Sequence, residues 1–588
     1  MTMWSGRNPS PTPPGATFCL LRRGFATVVA LSIVSLLAFV WESPDHQEND
    51  WVTSRRRLVV DVGAIAEHDL DVASAHHEWS RQEYGFPSAF EDALYRRHHH
   101  RRKKHHRHIT TACEPDRIHL TQASDVQAGD PLLGVLDMIL SFTLPRNCDP
   151  DVTMVRVVYE TGDNFPQISQ DYEITSFDYD ASLAVPGMND YQSDWIYHFR
   201  LSDVKAGLQE YNYQIMVQNG IEEGENEEED IVAATVERRQ LRGKNLGEAG
   251  KDPAIPTLSS PKYSFRTPPL SSEPTTLALV GDLGQTENST KTMHQIYQRT
   301  LSGEVPVSAV VIAGDLSYAD GDPLRWESWL ELMEPLLRST PLFSVPGNHE
   351  IECDNTTSEV FGIYEAYFRN PNRLVDAERR PIPPAYRKIL WSCLTSSEFL
   401  GHYNYGNAFW SVQHGMVQII GLNSYTSTLP GSPQYTWLDE TLQKVDRSVT
   451  PWVLVTFHCP LHTTFQGHNG ELNPLVMLHT FEPLFVQYQV NMVISGHDHA
   501  YMRTHPMKGK KVDPQGVVYW TLGAGGNREQ HNKGYLHPQA EEWVAKRTLS
   551  DYGFGQLHVA NATHAHFEWI RDGTTKEGIH DSLWLDNS

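Results

Sequence analysis

Cysteine is scarce in this chain, at six residues in 588, too few for a scaffold built on disulfides. Cys19 lies in the N-terminal leader, and Cys459 adjoins a candidate metal ligand. Cys113, Cys148, Cys353 and Cys393 remain, and four cysteines allow three connectivities. Cys113–Cys148 with Cys353–Cys393 is favoured, because each pair then falls within one predicted domain. Positive charge is also short: 48 Lys and Arg stand against 73 Asp and Glu, a net charge of −25. That excess argues against nucleic acid as a structural partner. An anionic substrate would need locally placed positive charge, which metal ions can supply. Long apolar runs are missing except for the uncharged stretch from Gly24 to Trp41, which follows Arg22-Arg23.

That stretch is long for a signal-peptide core and marginal for a spanning helix. No small-x-small cleavage site follows it. Arginines on its amino side favour a cytoplasmic N-terminus, so an uncleaved signal anchor is preferred to a cleaved signal peptide. Either sends the rest of the chain into the secretory pathway, extracellular or lumenal. The anchor reading makes it a type II membrane protein that meets the membrane only through residues 1–50. Residues 51–112 lack a sustained apolar period and contain the run RRHHHRRKKHHRH from Arg96 to His108. They read as a disordered linker or pro-segment. Metal binding, an anionic surface and processing at paired basic residues are the alternatives for the run.

From Cys113 to Thr267 short alternating strands dominate: Asp116–Thr121, Met138–Phe142, Met154–Tyr159, Trp195–Leu201, Tyr211–Val217 and Tyr263–Thr267. Their turn-rich spacing predicts a small β-sandwich over residues 113–268. Ligand-spaced His, Cys or carboxylate clusters are absent there. The acidic run Glu222–Asp230 and the polar stretch Arg238–Ser260 read as loop insertions. Pro268-Pro269 through Pro274 marks a stiff boundary, and a large α/β domain over 269–588 follows. Helices are predicted over Ser289–Leu301, over Leu324–Arg338 with its tryptophans in the core, and from Ser432-Pro433 to about Val445. Asn288, Asn355 and Asn561 open N-x-Ser/Thr sequons, which imply exposed loops and make the chain a candidate glycoprotein.

Between Leu277 and His499, five segments place metal-binding side chains just after apolar runs. They are Gly281-Asp282-Leu283-Gly284, Gly314-Asp315-Leu316-Ser317-Tyr318, Gly347-Asn348-His349-Glu350, Phe457-His458 and Gly496-His497-Asp498-His499. The runs before them (TLALV, SAVVIA, LFSVP, WVLVTF, NMVIS) read as buried strands of an α/β sheet. In such sheets reactive groups collect beyond the carboxyl ends of the strands. Asp282, Asp315, Tyr318, Asn348, His458, His497 and His499 are too many donors for one ion, and they suit two ions sharing a carboxylate bridge. Two ions about 3.5–4 Å apart can activate a water and clamp the phosphate it attacks.

The order GD, GDxxY, GNHE, strand-end His and GHxHAY resembles the purple acid phosphatases, a branch of the dinuclear metallophosphoesterases. Generic members carry Asp-x-His in the first motif. Here it is Asp282-Leu283-Gly284, and the tyrosine of the second motif, Tyr318, replaces the missing histidine. The resemblance runs from Cys113 to Ser588 and includes Gly523 to Glu529 and Asp581-Ser-Leu-Trp. It implies an α/β metallophosphoesterase sandwich domain preceded by an all-β fibronectin-type-III-like domain. Asp282, Tyr318 and His499 would hold a ferric ion, and Asp315 would bridge. Asn348, His458 and His497 would hold a divalent iron, zinc or manganese. The implied activity is acid phosphatase, attack on a phosphate monoester by a metal-bound hydroxide. His349 would bond the phosphate, and His468, with His462 as rival, would protonate the leaving oxygen. The segment Cys459–Glu471 departs from the larger family members, as does Met502, where a glutamate is usual. A phosphodiesterase or nucleotide pyrophosphatase on the same metals is the alternative enzyme. A silent tethered binding protein is the alternative class. A homodimer is left open.

Overall fold

The computed structural model describes residues 113–587 apart from 127–133, 163–165, 184, 186, 189, 220–256, 302–305, 353–359, 373–402 and 573–578. The leader, the basic run, Asn355 and the proposed Cys353–Cys393 pair lie outside the described residues.

The alternating segments near the start pair into two antiparallel sheets. One has the order Asp116–Gln122, Val135–Leu144, Trp195–Lys205, Tyr172–Thr175. The other has the order Thr257–Ser259, Glu210–Asn219, Thr153–Thr161, Gln167–Ser169, and Tyr263–Arg266 also pairs with Glu210–Asn219. Period-two burial is plain in Thr153–Thr161, where Val155, Val157 and Tyr159 turn inward. They share one apolar core with Leu140, Phe142, Phe199 and Ile215. A Cys113–Cys148 disulfide, with Cα atoms 5.8 Å apart, closes this region. Thr257–Ser259 is a strand at the end of the stretch predicted to be a loop. Its hydrogen bonds go to an existing strand edge, which local composition does not reveal.

The predicted α/β domain resolves into two facing sheets. The six-stranded sheet has the order Leu342–Ser344, Ala309–Ile312, Thr275–Val280, Gly553–Val559, His564–Arg571, Ile579–Asp586, and its first three strands are parallel. The seven-stranded sheet runs Trp410–His414, Val417–Gly421, Trp452–Thr456, Met492–Ser495, Val518–Leu522, Tyr501–Thr504, Val544–Thr548. Leu277, Leu279, Val311 and Phe343 of the first pack with Ile419, Leu454, Ile494 and Trp520 of the second in one core. Their strand neighbours Ala278, Val280 and Val310 are equally buried on the other face. Burial on both faces explains why these strands read as continuous apolar runs.

Local signals set the helix ends. Asp322 caps Pro323–Leu337 by accepting from Leu324 N at 3.0 Å, with proline in the first turn. Ser432 does the same for Pro433–Lys444, accepting from Tyr435 N at 3.3 Å. Trp326 and Trp329 are fully buried, as predicted. The helix predicted from Ser289 begins at Glu287, so Asn288 sits in a first helical turn rather than an exposed loop. Ser289 behind it is buried, donating to Leu283 O at 2.5 Å. Asn561 is exposed in a turn.

The Pro323–Leu337 helix lies on strand Asp116–Gln122. Arg117, buried there, pairs with Asp194 at 2.9 Å, Glu327 at 3.0 Å and Glu331 at 3.4 Å. His119 Nε2 and His198 Nε2 reach the carbonyls of Tyr367 and Ala366 at 2.9 and 3.0 Å. The β-rich region and the α/β region therefore share a hydrogen-bonded seam. No helix among the described residues is long and apolar enough to cross a membrane.

Candidate metal centre

Strands of both sheets end at one rim. Thr275–Val280, Ala309–Ile312 and Leu342–Ser344 deliver Asp282, Asp315 with Tyr318, and Asn348. Trp452–Thr456 and Met492–Ser495 of the other sheet deliver His458, and His497 with His499. The backbone turns sharply to aim these groups. Asp282, Asp315, Tyr318 and His497 all take positive φ, between 53 and 68°. For non-glycine residues that costs of order 1–3 kcal/mol each, so the surrounding fold must hold them there.

The glycines of the motifs make this close approach possible. A Cβ on Gly347 would stand 2.8 Å from Asp315 Cγ, with Oδ1 nearer still. One on Gly496 would meet Ala313 O at 2.9 Å and His458 Nδ1 at 3.2 Å. Each ligand loop thus nests against the backbone of another.

The structure brings all seven predicted donors into one buried cage. Tyr318 Oη lies 3.1 Å from Asp282 Oδ1 and 2.9 Å from His499 Nε2, and His499 Nε2 lies 3.3 Å from Asp282 Oδ1. Beside them, Asn348 Oδ1 faces His458 Nε2 at 3.2 Å and His497 Nδ1 at 3.1 Å. Asp315 Oδ2 reaches His458 Nε2 at 3.1 Å. Asp315 also groups with Asp282 and His499, so its carboxylate stands between the two halves. Each imidazole is oriented through its other nitrogen. His458 Nδ1 donates to Ala313 O at 2.8 Å, His499 Nδ1 to Gln530 O at 2.9 Å, and His497 Nε2 to Glu471 at 2.7 Å. That is how proteins fix metal-binding tautomers.

The electrostatics fit cations. Burial alone would raise the pKa of Asp315, but His458 and His349 outweigh it and hold the carboxyl well below its usual range. Burial would lower His458, but Asp315 and Asp282 outweigh it and raise the imidazole to about 9. A proton on His458 thus supplies the charge that a cation at this spot would bring. Burial, then Asp282 and Asp315, push the Tyr318 phenol well above its usual value. Only a strong positive charge nearby would make a phenolate here.

Sequence reasoning gave no role to several groups. Glu350 is fully buried and accepts from Asp315 N, Leu316 N and Gly347 N at 2.8, 2.9 and 2.7 Å, lashing two ligand loops together. Burial, then Asp315, raises its pKa to about 7. Glu471 holds His497 through one oxygen and His468 Nδ1 through the other, at 2.7 Å. Asp320 holds His349 Nδ1. The contacts of Glu350 to Asp315 and Leu316, of Glu471 to His497 and of Asp320 to His349 join separate loops, while Gly347-x-x-Glu350 and His468-x-x-Glu471 are local spacings that a sequence can show.

His468 and His462 part company. The His468 ring lies 3.7 Å from that of His497. His462 is buried elsewhere, against Tyr519 and bonded to Glu482 at 2.9 Å. His349 Nε2 stands 3.8 Å from Asp315 Oδ2. Met502 is buried with Phe465, Ala500 and Val544.

Residues 275–501 match the calcineurin-like phosphoesterase family, and residues 516–582 match the family described as iron/zinc purple acid phosphatase-like protein C. Among curated proteins, purple acid phosphatase 22 of Arabidopsis thaliana is 34% identical over 333 residues, 56% of this chain and 67% of that protein. Probable purple acid phosphatase 20 of the same plant is 33% identical over 328 residues, 56% of this chain and 68% of that one. This chain belongs to the purple acid phosphatases. Another relative is Fe(3+)-Zn(2+) purple acid phosphatase 12 of Arabidopsis thaliana, 31% identical over 347 residues, 56% of this chain and 66% of that protein. A solved purple acid phosphatase from yellow lupin (Lupinus luteus) seeds shares the fold, with a TM-score of 0.61 at 18% identity, covering 81% of this chain and 74% of its own.

Proposed function

We propose that this purple acid phosphatase hydrolyses phosphate monoesters at acidic pH with a ferric ion and a divalent ion, zinc by analogy with the Fe(3+)-Zn(2+) relative. The observation that carries the reading is the seven-donor cage, split into two halves about Asp315. In this assignment Asp282, Tyr318 and His499 hold the ferric ion. Asn348, His458 and His497 hold the divalent one. The hard phenolate of Tyr318 suits iron(III), and the imidazole pair with a neutral amide suits zinc. Bound metals would supply Lewis acidity and a water of lowered pKa.

The chain's own residues do the rest. His349, fixed through Nδ1 by Asp320, presents Nε2 beside Asp315, where it would donate to a phosphate oxygen. His468 donates its Nδ1–H to Glu471, which leaves Nε2 to carry a proton to the leaving oxygen. Burial would lower the His468 pKa, but the bond to Glu471 and its charge outweigh that and raise it. Its ring's close, tilted contact with His497 supports His468 over His462 as this donor.

The two antiparallel sheets over 113–268 support a fibronectin-type-III-like domain ahead of a catalytic domain over 269–588. The Cys113–Cys148 disulfide supports an oxidising, secretory compartment. Anchoring through residues 1–50 belongs to the same proposal. Metal analysis with a visible spectrum of the purified chain tests the core of it. Iron plus a second metal, with an absorption band lost in Tyr318→Phe, is expected. Asp315→Asn should lose both ions and all turnover. Full metal content with retained activity in Asp315→Asn would refute the bridging role.

A further inference from the structure

We infer that Arg528 reads a second anionic group on the substrate, so that this chain prefers phosphate esters carrying a further phosphate or carboxylate over esters of uncharged alcohols. The inference rests on the phosphatase reading and names its substrate class. Three observations lead to it. First, Arg528 lies on a turn fastened to the cage: Asn527 N and Nδ2 both donate to Asp282 O, at 3.3 and 3.1 Å, and Gly526 O accepts from Ser289 Oγ at 3.1 Å. Its position is therefore set in advance. Second, the guanidinium pairs with Asp320, the same carboxylate that holds His349 Nδ1. Side-chain exposure rises outward along this line, from 4% at His349 to 19% at Asp320 and 36% at Arg528. Arg528 thus stands on the solvent side of the group proposed to meet the phosphate. Third, the rim needs a cation. Glu529 stands 3.7 Å from His349 Nε2 and Asp320 adds a second negative charge, on a chain already at −25. A guanidinium fork matches phosphate and carboxylate oxygens alike.

The test compares kcat/KM of the full chain on fructose 1,6-bisphosphate, 3-phosphoglycerate and 4-nitrophenyl phosphate, before and after Arg528→Gln. Releasing Asp320 shifts His349 for every ester alike, but its unpaired charge also repels a second anion, and Arg528→Lys, which keeps Asp320 neutralised, separates that repulsion from loss of the fork. A hydrogen bond to a charged group predicts about a ten- to hundred-fold loss for the doubly anionic esters relative to 4-nitrophenyl phosphate, seated in KM. Loss confined to fructose 1,6-bisphosphate assigns the second phosphate, and loss confined to 3-phosphoglycerate assigns the carboxylate. Arg528→Lys, which keeps the charge but not the fork, should fall between, and carries the same ratios if the glutamine variant misfolds. Ratios unchanged within about twofold overturn the inference while leaving the phosphatase reading intact. A wild-type chain inactive on all three esters overturns both.

Discussion

Gly347→Ala should dismantle the metal centre while leaving most of the fold standing. The new Cβ would lie 2.8 Å from Asp315 Cγ, where ordinary contact begins at 3.4 Å. Asp315 has no room to retreat. Its Oδ1 accepts from His349 N at 2.9 Å, its Oδ2 meets His458 at 3.1 Å, and its own N–H is bound by Glu350. The strain must be taken up by a loop shift of the order of an ångström. Overpacking of this kind costs about 1–3 kcal/mol. Misplacing a reacting group by that distance costs about 10²-fold in rate. The control is Gly362→Ala at the first residue of the Gly362–Tyr367 helix, where a Cβ meets nothing within 4 Å. There alanine should be neutral or stabilising by up to about 1 kcal/mol. The assays are iron and second metal per chain, kcat/KM on 4-nitrophenyl phosphate, and the urea midpoint. Were Gly347→Ala to keep both metals and near-normal turnover, or Gly362→Ala to do equal damage, the account of nested ligand loops would be wrong.

Glu471→Gln replaces an acceptor of two imidazole N–H groups by a half-donor of the same shape. Affinity for the divalent ion should fall about 10–100-fold with iron retained, as read by equilibrium dialysis; unchanged affinity would remove Glu471 from the support of His497. Asp572 gives a pH-dependent outcome. Burial pushes its carboxyl up to about 7, although Thr292 donates to it at 3.0 Å. The folded state then holds this proton more tightly than the unfolded chain does. The group's contribution is full below pH 4 and is lost as pH climbs towards 7. Asp572→Asn should leave urea stability unchanged at pH 4 and raise it at pH 8, by at most about 4 kcal/mol.

Much of this architecture follows from short-range chemistry. Apolar runs such as TLALV and NMVIS are strands because they are buried on both faces, and a side-chain oxygen ahead of proline at Ser432 starts a helix in any context. The seven donors were readable because each follows a strand end, where the fold gathers reactive groups. Tertiary structure alone decided what depends on partners distant in sequence. It divided the strands between two sheets, added antiparallel strands from residues 553–586 to the first, and put Asn288 into a helix. It also separated His468 from His462 and brought Glu471, Asp320 and Glu350 to the cage. A carboxylate's role is set by which donors surround it, and those donors come from loops that meet only once the two sheets have packed.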